Sequence, residues 1–219
     1  MSEIKERPIL FSAPMVRAIL EGRKTVTRRA LNQRVLKNIG YGVQLGECHE
    51  LPSEGPLHTN SIGYYTDFCP YGQPGDRLWV RETFKTSTDC RPQIDEPYIY
   101  AADLNSDGFQ KWAARWKPSI HMPRAASRIL LEITDVRVER LQDGDGETAF
   151  ESRYVAEGIH RIHHGDGEHY YHPFKSEPGP GNCIDPIDAW RELWVSINGA
   201  ESWNANPWVW VVEFKQVSP

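Results

Sequence analysis

Apolar residues fall along this chain in short runs that switch between a period of two and a period of three to four. PILF (8–11) reads as a first strand. Ser12 then stands where a helix cap belongs, Pro14 suits a first helical turn, and Met15, Val16, Ile19 and Leu20 form an apolar stripe that Gly22 ends. KTVTRRAL (24–31), with its Thr and Val, predicts a strand. After the turn QPGD, RLWVRETF (77–84) alternates: Leu78, Val80, Glu82 and Phe84 share one face, Arg77, Trp79, Arg81 and Thr83 the other. EPYIYAAD (96–103) predicts another strand. SRILLEITDVRVER (127–140) predicts the longest, bent where its apolar phase shifts near Asp135.

ETAFESRYVAEGI (147–159) reads as a helix ending at Gly158. Asp185 caps a second helix, with Pro186 at its first position and Asp188 at its third. Trp190, Leu193, Trp194 and Ile197 follow on one buried face, and Asn198-Gly199 stops it. NPWVWVVEFKQV (206–217) is apolar on both faces and therefore predicts a central strand. Residues 32–75 and 160–184 hold no sustained period and read as two loop-like insertions, the second rich in His. The sum is one domain over 1–219, with about six strands and three helices. Strands joined mostly by turns, with helices beside them, predict an α+β mixed β-barrel rather than a doubly wound sheet.

Composition changes this picture little. The 219 residues are 25% charged, with a formal charge of -5 and eight Trp, a share that suits an aromatic core or aromatic binding surface. The longest apolar run, WVWVV, is strand-sized, and the charged MSEIKERPIL lacks the apolar centre of a signal peptide, so a cytoplasmic protein without a membrane partner is expected. Cys48, Cys69, Cys90 and Cys183 are widely spaced and read as free thiols. Charge distribution says more. From Gly22 to Gly46 stand six basic residues (Arg23, Lys24, Arg28, Arg29, Arg34 and Lys37) and no acid, which implies a directed anionic contact on an acidic body.

Within that segment Gly22, Lys24, Thr27 and Arg29 spell G-x-K-x-x-T-x-R, after a helix and opening a strand. This resembles the signature of the ASCH domain, a small β-barrel related to the PUA fold of RNA-modifying proteins. PGDRLWV, AEGI and WVWVVEF resemble further segments of the family in the same order, and the longer forms around them look like a phage and prophage subgroup. The resemblance implies a PUA-like barrel, and one branch of the family hydrolyses N4-acetylcytidine with a Lys, a Thr and a Glu. By motif position these are Lys24, Thr27 and Glu157. Position 28 departs from that branch, being Arg where the hydrolases carry an apolar residue.

The residues fit such chemistry. Amide hydrolysis needs a nucleophile, a base and a stabilised oxyanion. A Thr hydroxyl needs its proton taken, and a Lys can take it only if burial or neighbouring cations depress its pKa. Arg23, Arg28 and Arg29 surround Lys24 in sequence. In a regular strand Lys24 and Thr27 point to opposite faces, so Lys24 must lie in the turn leaving Gly22, whereas Thr27 and Arg29 share a face. Glu157 lies on the helical stripe Phe150, Tyr154, Glu157, which would aim it inward as a proton carrier; a competing stripe through Ser152, Val155 and Ile159 would make it a surface partner of Arg153 or Arg161. Glu82 is a reserve carboxylate, or a buried one paired with an Arg. Arg28, Arg29, Arg81, Glu82, His121 and Arg124 are the expected binding residues around a pocket formed by the strand after Gly22, the RLWVRETF strand and the helix ending at Gly158.

Trp190, Trp194, Trp208 and Trp210 read as core, with Trp79 and Trp203 freer to stack on a base. His160, His163, His164, His169 and His172 lack metal-ligand spacing and read as a solvated loop, so neither metal nor cofactor is expected. Three functions follow: an amidohydrolase acting on an acylated cytosine base or nucleoside, a non-catalytic module binding RNA or possibly DNA, or a ribonuclease. No oligomeric state is implied.

Overall fold

The alternation of the RLWVRETF segment sets how the sheet faces. In the computed structural model, which describes residues 3–86, 97–104, 116–143, 153–165 and 167–218, Leu78, Val80, Glu82 and Phe84 are all buried, as the period of two requires. The first three of these belong to or adjoin β3 (Arg77–Arg81); Phe84 begins a short β4 (Phe84–Thr86). β3 lies parallel to β1 (Glu6–Leu10) and antiparallel to β6 (Leu130–Arg140). β6 pairs with β9 (Trp208–Val217), and β9 with β2 (Val26–Ala30), giving the order β1-β3-β6-β9-β2. The fold is thus α+β around a mixed five-stranded sheet. β9 is internal, as its two apolar faces predict, and the β6–β9 register slips between Ile133 and Asp135, where the apolar phase of the sequence shifts.

The turn before β3 is tied to β1. The Asp76 carboxylate accepts from the backbone N–H groups of Lys5 and Gln73 and from Arg7. Among the described residues two smaller sheets complete the strands, β4 with β5 (Tyr98–Tyr100) and a hairpin of β7 (His160–His163) and β8 (His169–His172).

α1 (Ala13–Leu20) starts after Ser12, whose side chain makes no capping bond, and buries Met15, Val16 and Ile19 but leaves Leu20 exposed. Residues 32–75 are not the structureless insertion that the sequence suggests. They hold α2 (Gln33–Leu45), capped by the Asn32 side chain, and α3 (Ile62–Asp67). Gly40 and Gly42 weaken the helical signal. Gly42 has a packing reason, since a Cβ there would meet the Tyr64 ring of α3 at 2.3–2.7 Å. The second expected insertion, 160–184, contains the β7–β8 hairpin. The helix expected at 147–159 is also corrected: Arg153–Ala156 is turn, and Glu157 makes an isolated antiparallel bridge to Lys24; residues 147–152 lie outside the described residues, as does Cys90. Cys48, Cys69 and Cys183 are free.

α4 (Pro186–Asn198) is capped by the Asp185 side chain at Ile187 N–H and stopped at Gly199, with α5 (Ala200–Asn204) following. Its Trp190, Leu193 and Trp194 are buried, whereas Ile197 is 56% exposed, a departure from the predicted stripe. Trp203 and Trp210 are buried and Trp208 half-buried. One core joins the sheet to α1, α2 and α4, with a satellite cluster at Phe84, Met122 and Ala126. Among the described residues no helix is long and apolar enough to cross a membrane.

Candidate functional site

The site begins at a glycine that ends a helix. Gly22, at φ 74°, turns the chain out of α1, and Lys24 enters the fold two residues before β2, off the regular strand alternation. Its amide donates to the Ala18 carbonyl at 2.9 Å. A second glycine brings the partner: Gly158, at φ 96°, packs so tightly that a Cβ would stand 2.8 Å from Ala18 Cβ and 3.1 Å from Lys24 Cβ. Glu157 therefore lies against Lys24, 133 residues away in sequence.

Lys24 Nζ donates to Glu157 Oε2 at 2.7 Å, to the Glu157 carbonyl at 2.9 Å and to the Val26 carbonyl at 2.7 Å. Arg28 Nη1 donates to Glu157 Oε1 at 3.0 Å. One carboxylate thus serves two cations, and all three side chains are at most 2% exposed. Arg28 also reaches Glu139 Oε2 at 3.6 Å, and its guanidinium lies over the Tyr154 and Trp190 rings at 5.4 and 5.9 Å. Burial pushes the Lys24 pKa down and Glu157 pulls it back up, while Arg29 and Arg28 push it down further; the balance falls below the ordinary lysine value.

Lys24, Thr27, Arg28, Arg29 and Glu157 line one cavity of about 130 Å³, walled by Phe11 and Met15 on one side and Trp190, Leu193 and Trp194 on the other. Thr27 is 3% exposed, and among the described residues its hydroxyl has no hydrogen-bond partner. Arg29, half-buried, donates from Nη2 to the Leu10 carbonyl at 2.6 Å and lies over the Phe11 ring at 5.3 Å. This side chain links the two edge strands of the sheet, β2 and β1. The cavity brings together a hydroxyl, a buried amine of depressed pKa, a carboxylate touching that amine, and two guanidinium groups, a set that could serve acyl transfer or anion binding.

The remaining expected binding residues lie elsewhere and do not line this cavity. Arg81 donates to the Ile120 carbonyl and lies over Trp79 at 5.3 Å; Arg124 pairs with Glu6 at 2.9 Å; His121 is exposed. Glu82 is the paired buried carboxylate, held by Arg128 at 2.9 and 3.1 Å, with burial raising its pKa against that cation's pull. Arg128 continues to Asp103 at 2.7 Å. The pocket wall expected from β3 is instead supplied by the β1–α1 junction and α4. Sequence reasoning assigned Trp190, Leu193 and Trp194 to the core alone, because one apolar stripe can serve core and cavity together. The only signal for Phe11 was its place beside Ser12 at the strand end.

Among the described residues no group of three or more His, Cys, Asp or Glu is placed to hold a metal ion. The histidines oppose one another across the hairpin, His160 with His172 and His163 with His169, and His164 approaches Asn182 at 2.9 Å. No protein-family model, curated protein or solved structure matches the chain.

Proposed function

We propose that this protein is an ASCH-type amidohydrolase on a PUA-like barrel, and that it removes an acyl group from a modified cytosine base or nucleoside of the N4-acetylcytidine kind. The observation that carries the reading is the meeting of Lys24 with Glu157 at 2.7 Å beside Thr27 in one buried cavity, since a surface salt bridge would need none of that burial. Thr27 Oγ attacks the amide carbonyl as its proton passes to Lys24 in the neutral form that burial favours, while the Glu157 carboxylate holds that amine in place at 2.7 Å. The oxyanion collects its donors from Arg28, which lies at the same depth as Lys24 and Thr27. Collapse breaks the C–N bond, the departing exocyclic amine takes a proton from the Lys24–Glu157 pair, and water releases the acyl group from Thr27. The reaction needs no cofactor.

A second reading rests on Lys24 itself. Its three N–H groups all have acceptors, an arrangement that also suits a fixed ammonium in a non-catalytic nucleic-acid-binding module. Chromatography of N4-acetylcytidine incubated with the protein separates the two. Cytidine and acetate released by wild type, and lost in both Lys24→Ala and Thr27→Ala, support the hydrolase. A folded wild type that leaves every acylated cytosine intact rules it out in favour of the binding module.

A further inference from the structure

Charge in the cavity is not balanced. Its lining carries Lys24, Arg28 and Arg29 against one carboxylate, Glu157, and that carboxylate is already shared by Lys24 and Arg28. Glu139, behind Arg28, is itself divided among Arg28, Arg137 and Arg153. Arg29 is left over. Among the described residues no acid lies within ion-pair distance of it, and its Nε is buried without an acceptor. Arg28 Nη2 and Trp190 Nε1, from the same lining, are likewise buried without a hydrogen-bond partner. Buried donors are normally satisfied, and here three without acceptors sit on residues that line one cavity.

Depth orders these groups. Thr27, Lys24, Glu157 and Arg28 are all at most 4% exposed, whereas Arg29 is half-buried beside Leu10, which is 40% exposed at the rim. The reacting groups therefore form the floor and Arg29 the mouth. A guanidinium held over the Phe11 ring, with Nη2 fixed by the Leu10 carbonyl, presents its remaining N–H groups in a defined direction, which suits a planar fork on phosphate oxygens.

We infer that Arg29 is a phosphate-binding residue at the mouth of this cavity, so that the preferred ligand is a phosphorylated nucleotide rather than a free nucleoside. The inference deepens the reading above and rests on it for the base, but not for the phosphate. A 5′-monophosphate and the backbone of a strand share this chemistry.

The test is calorimetric titration of the full chain with inorganic phosphate, cytidine, cytidine 5′-monophosphate and a cytosine trinucleotide. Wild type binds the monophosphate about tenfold to a hundredfold more tightly than cytidine, the range for charge-assisted hydrogen bonds. That ratio falls to about twofold or less in Arg29→Gln and partly recovers in Arg29→Lys, with thermal melting confirming that each variant folds. Stronger binding of the trinucleotide, also lost in Arg29→Gln, would assign the phosphate to a strand. If phosphate binds through Arg29 while neither cytidine form adds affinity, the nucleoside reading fails and the anion site stands. Equal affinity for cytidine and its monophosphate, a ratio that survives Arg29→Gln, or no binding of any of the four probes overturns the inference.

Discussion

Replacing Glu157 with Gln is the most informative single perturbation. Its carboxylate accepts from Lys24 at 2.7 Å and Arg28 at 3.0 Å, and neither cation is more than 2% exposed. The amide keeps the shape but removes the one charge that, among the described residues, both cations touch. The other carboxylate near Arg28 stands 3.6 Å away. Removing one partner of a buried ion pair typically costs about 3–5 kcal/mol, a large part of the roughly 5–15 kcal/mol that holds a domain folded. The expected fall in melting temperature is about 6–20 °C for a chain of this size. Urea unfolding at pH 7 measures it, with an unchanged slope showing that the native state alone is affected. Combining Glu157→Gln with Lys24→Met should cost less than the sum of the single changes, because the second mutation removes a cation that the first has stranded. A loss below about 1 kcal/mol, or strict additivity, would refute the claim that this carboxylate is the electrostatic centre of the site.

Other expectations follow from the same geometry. Gly158→Ala forces a Cβ to 2.8 Å from Ala18 at a positive φ, so urea unfolding should show a loss of about 2–4 kcal/mol. Hydrolysis should rise with pH to a plateau whose midpoint lies below the ordinary lysine value of about 10.4, because burial depresses Lys24; an initial-rate profile with no rise at any pH below about 10.4 would speak against Lys24 as the base. For Asp76, burial raises the carboxyl but is outweighed by the Lys5 and Gln73 amides and Arg7, leaving its pKa below the ordinary carboxylate value. A depressed carboxyl stabilises above its unfolded pKa of about 3.9 and loses that contribution as pH falls through the lower folded value, so Asp76→Asn should flatten stability against pH below about 4.

How far the sequence carries depends on whether a signal is local. The buried Leu78–Phe84 face, the bulge near Asp135 and the internal place of β9 all follow from periodicity and phase, which short windows contain. The α2 helix was hidden because Gly42 reads as a breaker until Tyr64 of α3 is seen against it. Glu157 was assigned to a helix face, yet its position is set by a turn and by Lys24 across 133 residues, a pairing that no periodicity encodes. Arg81 and Arg124 do not line this cavity, and their partners, the Ile120 carbonyl and Glu6, are distant in sequence. Lys24, Thr27 and Arg29 were legible because one short segment holds them all. Its turn at Gly22 could be placed before the strand, and Lys24 does leave the strand alternation there.

The central claim is that Thr27, with Lys24 and Glu157, forms an acyl-transfer site. Intact-mass and peptide mass spectrometry of reactions with N4-acetylcytidine, quenched in acid at early times, test it most directly. The account predicts one added acetyl group on the peptide containing Thr27, gone in Thr27→Ala and diminished in Lys24→Ala. Acetate release with an unmodified chain at every quench time, or a label that persists in Thr27→Ala, would contradict it.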